Sequence, residues 1–170
     1  MSTIPLTEVH YAYPVKAVRV TVHTVGKMFD TDKRSINHAS IFLIIGTKQL
    51  ARLNMTNEGP VGVMGLYKKQ MCYYDNSESS LFNIGVCVIK SGLTVGDFVR
   101  LIESKRRHEY MLAPTGVGCR FWVKSVIEDF TVAGYVDPSD AAEMYNDLQY
   151  NYSRNKERLF EAIVPGTFVR

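Results

Sequence analysis

His38-Ala-Ser-Ile-Phe-Leu-Ile-Ile45 and Gln49-Leu-Ala-Arg-Leu-Asn-Met-Thr56, joined by Gly46-Thr-Lys48, decide the fold class. The first run contains the longest apolar stretch of the chain, Ile41 to Ile45. It has strand length and falls well short of the roughly 18 apolar residues that a membrane span needs. Two such runs separated by a short turn make a β-hairpin, and Gly46 offers the permissive backbone that such turns use. Upstream, residues 15–25 alternate strictly. Val18, Val20 and Val22 point one way, and Arg19, Thr21 and His23 the other. That period of two marks a half-buried strand. Residues 15–25, 38–45 and 49–55 are therefore expected in one antiparallel sheet.

Outward from this hairpin the chain stays strand-like for a while. Residues 63–74 are a weaker strand candidate and residues 82–90 another apolar one, separated by the polar residues 75–80, and residues 30–35 are too hydrophilic to bury. After residue 93 the period changes. Thr94 is placed to cap a helix with Val95, Phe98, Val99 and Ile102 on one stripe. The basic run Lys105-Arg-Arg107 at its end complements the helix dipole. Residues 109–113 read as a short extended segment. A second helix carries Cys119, Trp122, Val123, Val126, Ile127 and Phe130 at helical spacing and stops at Gly134. Asp137-Pro138 opens a third, bearing Ala141, Met144, Tyr145, Leu148 and Tyr152 and extending towards Phe160. The fold class is α+β: an antiparallel sheet with helices packed on one face. The whole chain, 1–170, is expected as one domain, with a core over 14–134 and a C-terminal helix and tail over 137–170.

Composition narrows the function. Of 170 residues, 46% are hydrophobic and 22% charged, which rules out wholesale disorder. The 20 basic and 17 acidic residues leave +3, too small an excess for nucleic acid as the main ligand. The N-terminus has neither the basic start nor the apolar stretch of a secretion signal, so a cytoplasmic location is expected. The three cysteines, Cys72, Cys87 and Cys119, form no Cys-x-x-Cys pair, and the four histidines are scattered. Free thiols in a reducing compartment follow, with no metal and no cofactor asked for. Cys72 and Cys87 lie in apolar strand surroundings and are expected to be structural.

Gly116-Val-Gly-Cys119-Arg-Phe-Trp-Val is the segment where chemistry is expected. It places a thiol after a glycine-rich loop in the first turn of a helix. Unpaired backbone N–H groups and the positive end of the dipole favour a thiolate there, and the same groups can receive an oxyanion. Gly118 leaves room for a substrate and Arg120 adds positive charge. Cys119 also lies on the apolar stripe with Trp122, Val126 and Phe130, the bland alternative in which it merely packs.

A thiol nucleophile needs a base. His38 shares its strand face with Ser40 and Phe42. A turn centred near Thr47 sets Ser40 opposite Asn54, which puts Asn54 diagonally beside His38. Asn54, or else Arg52 on the same face, would then orient the imidazole. A one-residue slip in register would undo this. The expected site is Cys119, His38 and Asn54, with Arg120, Trp122, Gly118 and Arg52 as substrate-binding residues.

The order of these parts resembles the circularly permuted papain-like fold. A histidine begins an apolar strand, a hairpin returns with a polar residue, and a helix, a short strand and a Cys-x-x-aromatic-Val helix start follow. The fold's members include the lecithin:retinol acyltransferase and phospholipase A/acyltransferase group, NlpC/P60-related proteins and PPPDE-type peptidases. The resemblance runs from about His38 to Phe130. It implies a cysteine-dependent hydrolase or an acyl or amide transferase acting on a small-molecule or peptide substrate. Two features depart from the acyltransferase group: Gly118 stands where Asn usually precedes the Cys, and Asn54 or Arg52 where a second His is usual. The chain also resembles small uncharacterised fungal proteins with a Gly-Cys-Arg-aromatic-Trp segment. That likeness implies the alternative, a non-catalytic small-molecule-binding or substrate-folding protein of specialised metabolism. A homodimer contact through Tyr145 or Tyr152 is a further expectation.

Overall fold

The computed structural model describes residues 2–27, 35–57, 64–113, 117–154 and 157–169. Gly116, the Asp30–Arg34 stretch of the polar loop and residues 58–63 lie outside them. The alternating segments form β2 (Ala17–Lys27), β3 (Ser35–Gly46) and β4 (Gln49–Thr56), and the candidates over 63–74 and 82–90 form β5 (Leu66–Cys72) and β6 (Ser80–Val86). With the edge strand β1 (Thr3–Pro5) they make one six-stranded sheet, in the order β1-β5-β4-β3-β2-β6. Every pairing in it is antiparallel. The β3–β4 hairpin has the register Ile41↔Leu53, Phe42↔Arg52 and Leu43↔Ala51. Its turn differs from expectation in one respect. Lys48, not Gly46, takes the positive φ, at 52°. Its N–H donates to Asp75 Oδ1 at 2.7 Å, which anchors that conformation.

Alternation sorts the two faces of the sheet. Val18, Val20, Val22, Ala39, Ile41, Leu43, Ala51, Leu53 and Met55 join one core cluster. Against them pack α1 (Val95–Ser104) and α2 (Cys119–Val132), through Phe98, Val99, Ile102, Trp122, Val126 and Phe130. Phe98 and Phe130 meet edge-on with ring centres 4.9 Å apart, which locks the two helices together. The helices thus cover one face. The other holds the small cluster Phe42, Leu50 and Cys72 and a polar set that includes Thr21, Ser40 and Asn54. α1 starts as its sequence requires. The Thr94 hydroxyl accepts from Asp97 N–H, and the Asp97 carboxylate accepts from Thr94 N–H.

The C-terminal third corrects the expected long helix. α3 (Pro138–Leu148) is capped by Asp137, whose carboxylate accepts from Ser139 N–H at 2.8 Å, but it ends at Leu148. Residues Tyr150–Tyr152 and Arg158–Phe160 instead form a small antiparallel pair, β8 and β9. Tertiary contacts override the helical spacing. Tyr152 stacks on Phe82 with ring centres 4.5 Å apart, and Asn37 exchanges two hydrogen bonds with the Tyr152 backbone. Tyr152 is therefore buried and forms no docking surface, while Tyr145 stays exposed. Tyr110–Met111, the short segment expected over 109–113, is β7 and pairs with β10 (Thr167–Phe168). The tail is thus stitched onto the domain.

Lys105-Arg-Arg107 does more than meet a dipole. Arg107 grips Asp129 of α2 at 2.7 Å and lies over the Phe168 ring. No helix among the described residues is long and apolar enough to cross a membrane.

Candidate functional site

The site forms where the hairpin opens. β3 and β4 pair residue by residue only as far as Ile41↔Leu53, although both strands run on beyond that point. The start of α2 fits into this opening. There Ala39, past the last residue paired with β4, lies beside Cys119. Gly118 is the N-cap of α2, with φ 135°, a region that L side chains rarely adopt. A Cβ at Gly118 would also stand 2.9 Å from the Tyr110 hydroxyl. That hydroxyl donates to the Gly118 carbonyl at 2.7 Å and accepts from Gly166 N–H at 2.8 Å. Glycine is thus required by both conformation and space. Gly118 has no side chain to cap α2, and the first-turn N–H groups of a helix have no partner within the helix itself.

Cys119 and the His38 ring lie close enough to shift each other's titration. His38 Nε2 meets Asn54 Oδ1 at 2.5 Å. Burial, joined by the Arg52 charge, opposes charge on the ring. The nearby Cys119 charge and the bond to Asn54 outweigh them, so His38 is held above the ordinary histidine value. Burial likewise opposes a thiolate at Cys119. The His38 charge, the adjoining Ala39 backbone and the Arg120 charge outweigh it and hold the thiol below its ordinary value. The two shifts are opposite in sign and favour a thiolate–imidazolium pair. The other cysteines contrast with this. Cys72 is buried and its thiol is pushed up by desolvation. Cys87 is exposed and its thiol is pushed up by the Asp140 carboxylate.

Cys119 and His38 open onto a cavity of about 510 Å³, walled by Val25, Ile36, Leu112, Val117 and Val164 among others. The expected binding residues divide around it. Gly118 and Arg120 line it. The Arg120 guanidinium is nevertheless engaged: it donates to the carbonyls of Leu148, Glu161 and Ala162 and to the Glu161 carboxylate. Its role is to clamp the C-terminal segment as one wall. Trp122 lies away from the cavity. It is fully buried, and its Nε1–H donates to the Arg107 carbonyl at 2.7 Å, so it packs the core rather than a ligand. Arg52 also stands off the cavity and donates twice to Ser40 Oγ, at 3.0 and 3.2 Å. Asn54, not Arg52, therefore contacts His38.

Three contributors escape a reading of motifs. Tyr110 braces the Gly118 turn, and residues 161–164 supply a wall from far along the chain. His23 pairs across the sheet with His38, their ring centres 6.5 Å apart. Burial, with help from the Arg52 and His38 charges, lowers the His23 pKa to about 3, so it stays neutral. Its place on the polar face of β2 was legible, but the β2–β3 register that sets it opposite His38 was not. No group of three or more His, Cys, Asp or Glu among the described residues could hold a metal ion.

Residues 18–169 match the family described as a domain of unknown function (DUF7770). No curated protein and no solved structure matches the chain.

Proposed function

We propose that the chain, which belongs to the DUF7770 family, is a cysteine-dependent hydrolase or acyl or amide transferase in which Cys119 attacks, His38 moves the proton and Asn54 orients His38. The observation that carries this reading is the Cys119–His38–Asn54 chain at an uncapped helix start facing a cavity. A merely packed cysteine has its thiol raised by burial, as Cys72 does. Cys119 has the opposite shift. The order of His strand, Asn strand and Cys helix along the chain supports the permuted papain-like assignment.

In the acylation step the Cys119 thiolate adds to the carbonyl carbon of an ester or amide. The oxyanion is received by backbone N–H groups at the start of α2. Collapse of that intermediate forms the thioester and breaks the bond to the alcohol or amine, which leaves with the proton from His38. In the second step water, or an amine or hydroxyl acceptor, gives its proton to His38 as it attacks the thioester. The acyl group leaves on the new oxygen or nitrogen and the thiolate is restored.

Incubation with p-nitrophenyl acetate tests the reading. A burst of nitrophenolate is expected, with the acetyl group located on Cys119 by mass spectrometry. Cys119→Ala is expected to abolish both. A native protein that acquires no acyl group on Cys119 would support the non-catalytic binding alternative instead.

A further inference from the structure

The face of the sheet away from the helices carries a chain of side-chain hydrogen bonds that ends at His38. Arg52 Nε and Nη2 donate to Ser40 Oγ at 3.2 and 3.0 Å. Ser40 Oγ donates to Asn54 Oδ1 at 3.3 Å, and His38 Nε2 meets the same oxygen. Ser40 and Asn54 are both buried, so water does not compete for these atoms. We infer that Arg52, acting through Ser40, is a positioning residue that sets the direction of this chain and thereby the tautomer of His38.

The argument is one of donors and acceptors. A guanidinium has only donors, and a hydroxyl has two lone pairs and one proton. Two Arg52 N–H groups occupy the lone pairs of Ser40, so its proton has to point onward. The onward partner must accept, which turns the Asn54 amide so that its oxygen, not its nitrogen, faces Ser40 and His38. An amide oxygen only accepts, so His38 has to present Nε2–H to it. In the neutral ring the proton is then on Nε2 and the free lone pair on Nδ1. That lone pair remains to take the proton of Cys119. A carboxylate at position 52 would reverse every link. It would take the Ser40 proton, and the hydroxyl would then accept from Asn54 Nδ2. The turned amide would donate to His38 Nε2 and leave the ring proton on Nδ1.

A parallel chain on the same face provides a control. Arg19 Nε donates to Thr21 Oγ1 at 3.0 Å, and Thr21 donates to Asn83 Oδ1 at 2.9 Å. It has the same direction but contains no histidine. Removing the Arg19 charge therefore tests whether a cation on this face suffices without a link to His38.

The tautomer is read from the ring nitrogens by ¹H–¹⁵N NMR of the whole protein, at a pH above the His38 titration. This readout does not depend on Cys119 being a nucleophile. A second readout, which does rest on that reading, is the rate at which iodoacetamide modifies Cys119 at pH 6. Wild type, Arg52→Lys and Arg19→Gln are expected to hold His38 in the Nε2–H form. Arg52→Glu is expected to shift it to Nδ1–H and to slow Cys119 modification about tenfold. Circular dichroism reports whether each variant folds. If Arg52→Glu does not, Ser40→Ala decides: without the hydroxyl the amide has no imposed direction, and a mixture of tautomers is expected. An Nε2–H ring that persists in every folded variant overturns the inference. So does an Nδ1–H ring in wild type, or an equal change in Arg19→Gln. A retained tautomer effect with an inert Cys119 would overturn the proposed enzyme alone.

Discussion

At the scale of single residues the candidate site rests on small, replaceable features. Gly118 combines φ 135° with a Tyr110 hydroxyl 2.9 Å from where a Cβ would stand. Gly118→Ala is expected to destabilise the protein by about 1–3 kcal/mol, the usual range for a side chain forced into a sparsely populated backbone region. Urea unfolding measures it, and a loss below about 0.5 kcal/mol, the range of an ordinary surface substitution, would show that the turn adapts freely. Asn54→Ala removes the acceptor beyond His38, and that bond is one of the causes holding the ring pKa up. The His38 titration is expected to move down in Asn54→Ala. An unmoved titration in an NMR pH series would mean that Asn54 merely packs. Cys119, His38 and Asn54 were legible because residue type, strand face and helix position all pointed the same way. Arg120 was not. Its positive charge was visible, but the carbonyls that occupy it come from residues 148, 161 and 162, which only the folded chain brings near.

At the scale of elements, α2 has two jobs, with its first turn carrying the thiol and its body filling the core. Trp122 is fully buried and hydrogen-bonded to the Arg107 carbonyl. Trp122→Ala is expected to cost about 3–5 kcal/mol, the range for a large aromatic lost from a core. A loss under about 1 kcal/mol in urea unfolding would contradict the packing described. Strands β2, β3 and β4 were legible from their alternation and short turn, and the first two helices from their apolar stripes. The extent of α3 was not. Ala141, Met144, Tyr145, Leu148 and Tyr152 keep helical spacing past Leu148, yet Tyr152 gains more from Phe82 and Asn37 than a further helical turn offers. Local periodicity carries no information about such distant partners. Residues 161–164, held by Arg120, wall the cavity from the same C-terminal region. Arg120→Met is expected to raise amide hydrogen exchange over residues 161–164 while leaving β3 protected. Unchanged exchange there would show that the clamp is dispensable.

At the scale of the whole molecule, the buried histidines tie stability and chemistry to pH in opposite senses. His23 has a folded pKa of about 3, below its ordinary value. As pH falls below about 6.5 the unfolded chain takes up that proton first, so His23 lowers stability progressively towards pH 3. By pH 4.5 the loss is about 3 kcal/mol on that linkage. The acid side of the stability profile is expected to flatten in His23→Phe, and an identical slope in both proteins would contradict it. His38 has the reverse shift and contributes stability at low pH that is lost as pH rises through its folded value. The central claim is that Cys119 is a thiolate paired with the charged His38 ring. Iodoacetamide labelling of the native protein from pH 5 to pH 9, with each cysteine followed by mass spectrometry, measures this directly. Cys119 is expected to be modified below pH 7, ahead of exposed Cys87 and buried Cys72, and His38→Ala is expected to move its modification to alkaline pH. A Cys119 that reacts no faster than Cys87 at pH 6, or whose profile is the same without His38, would contradict the account.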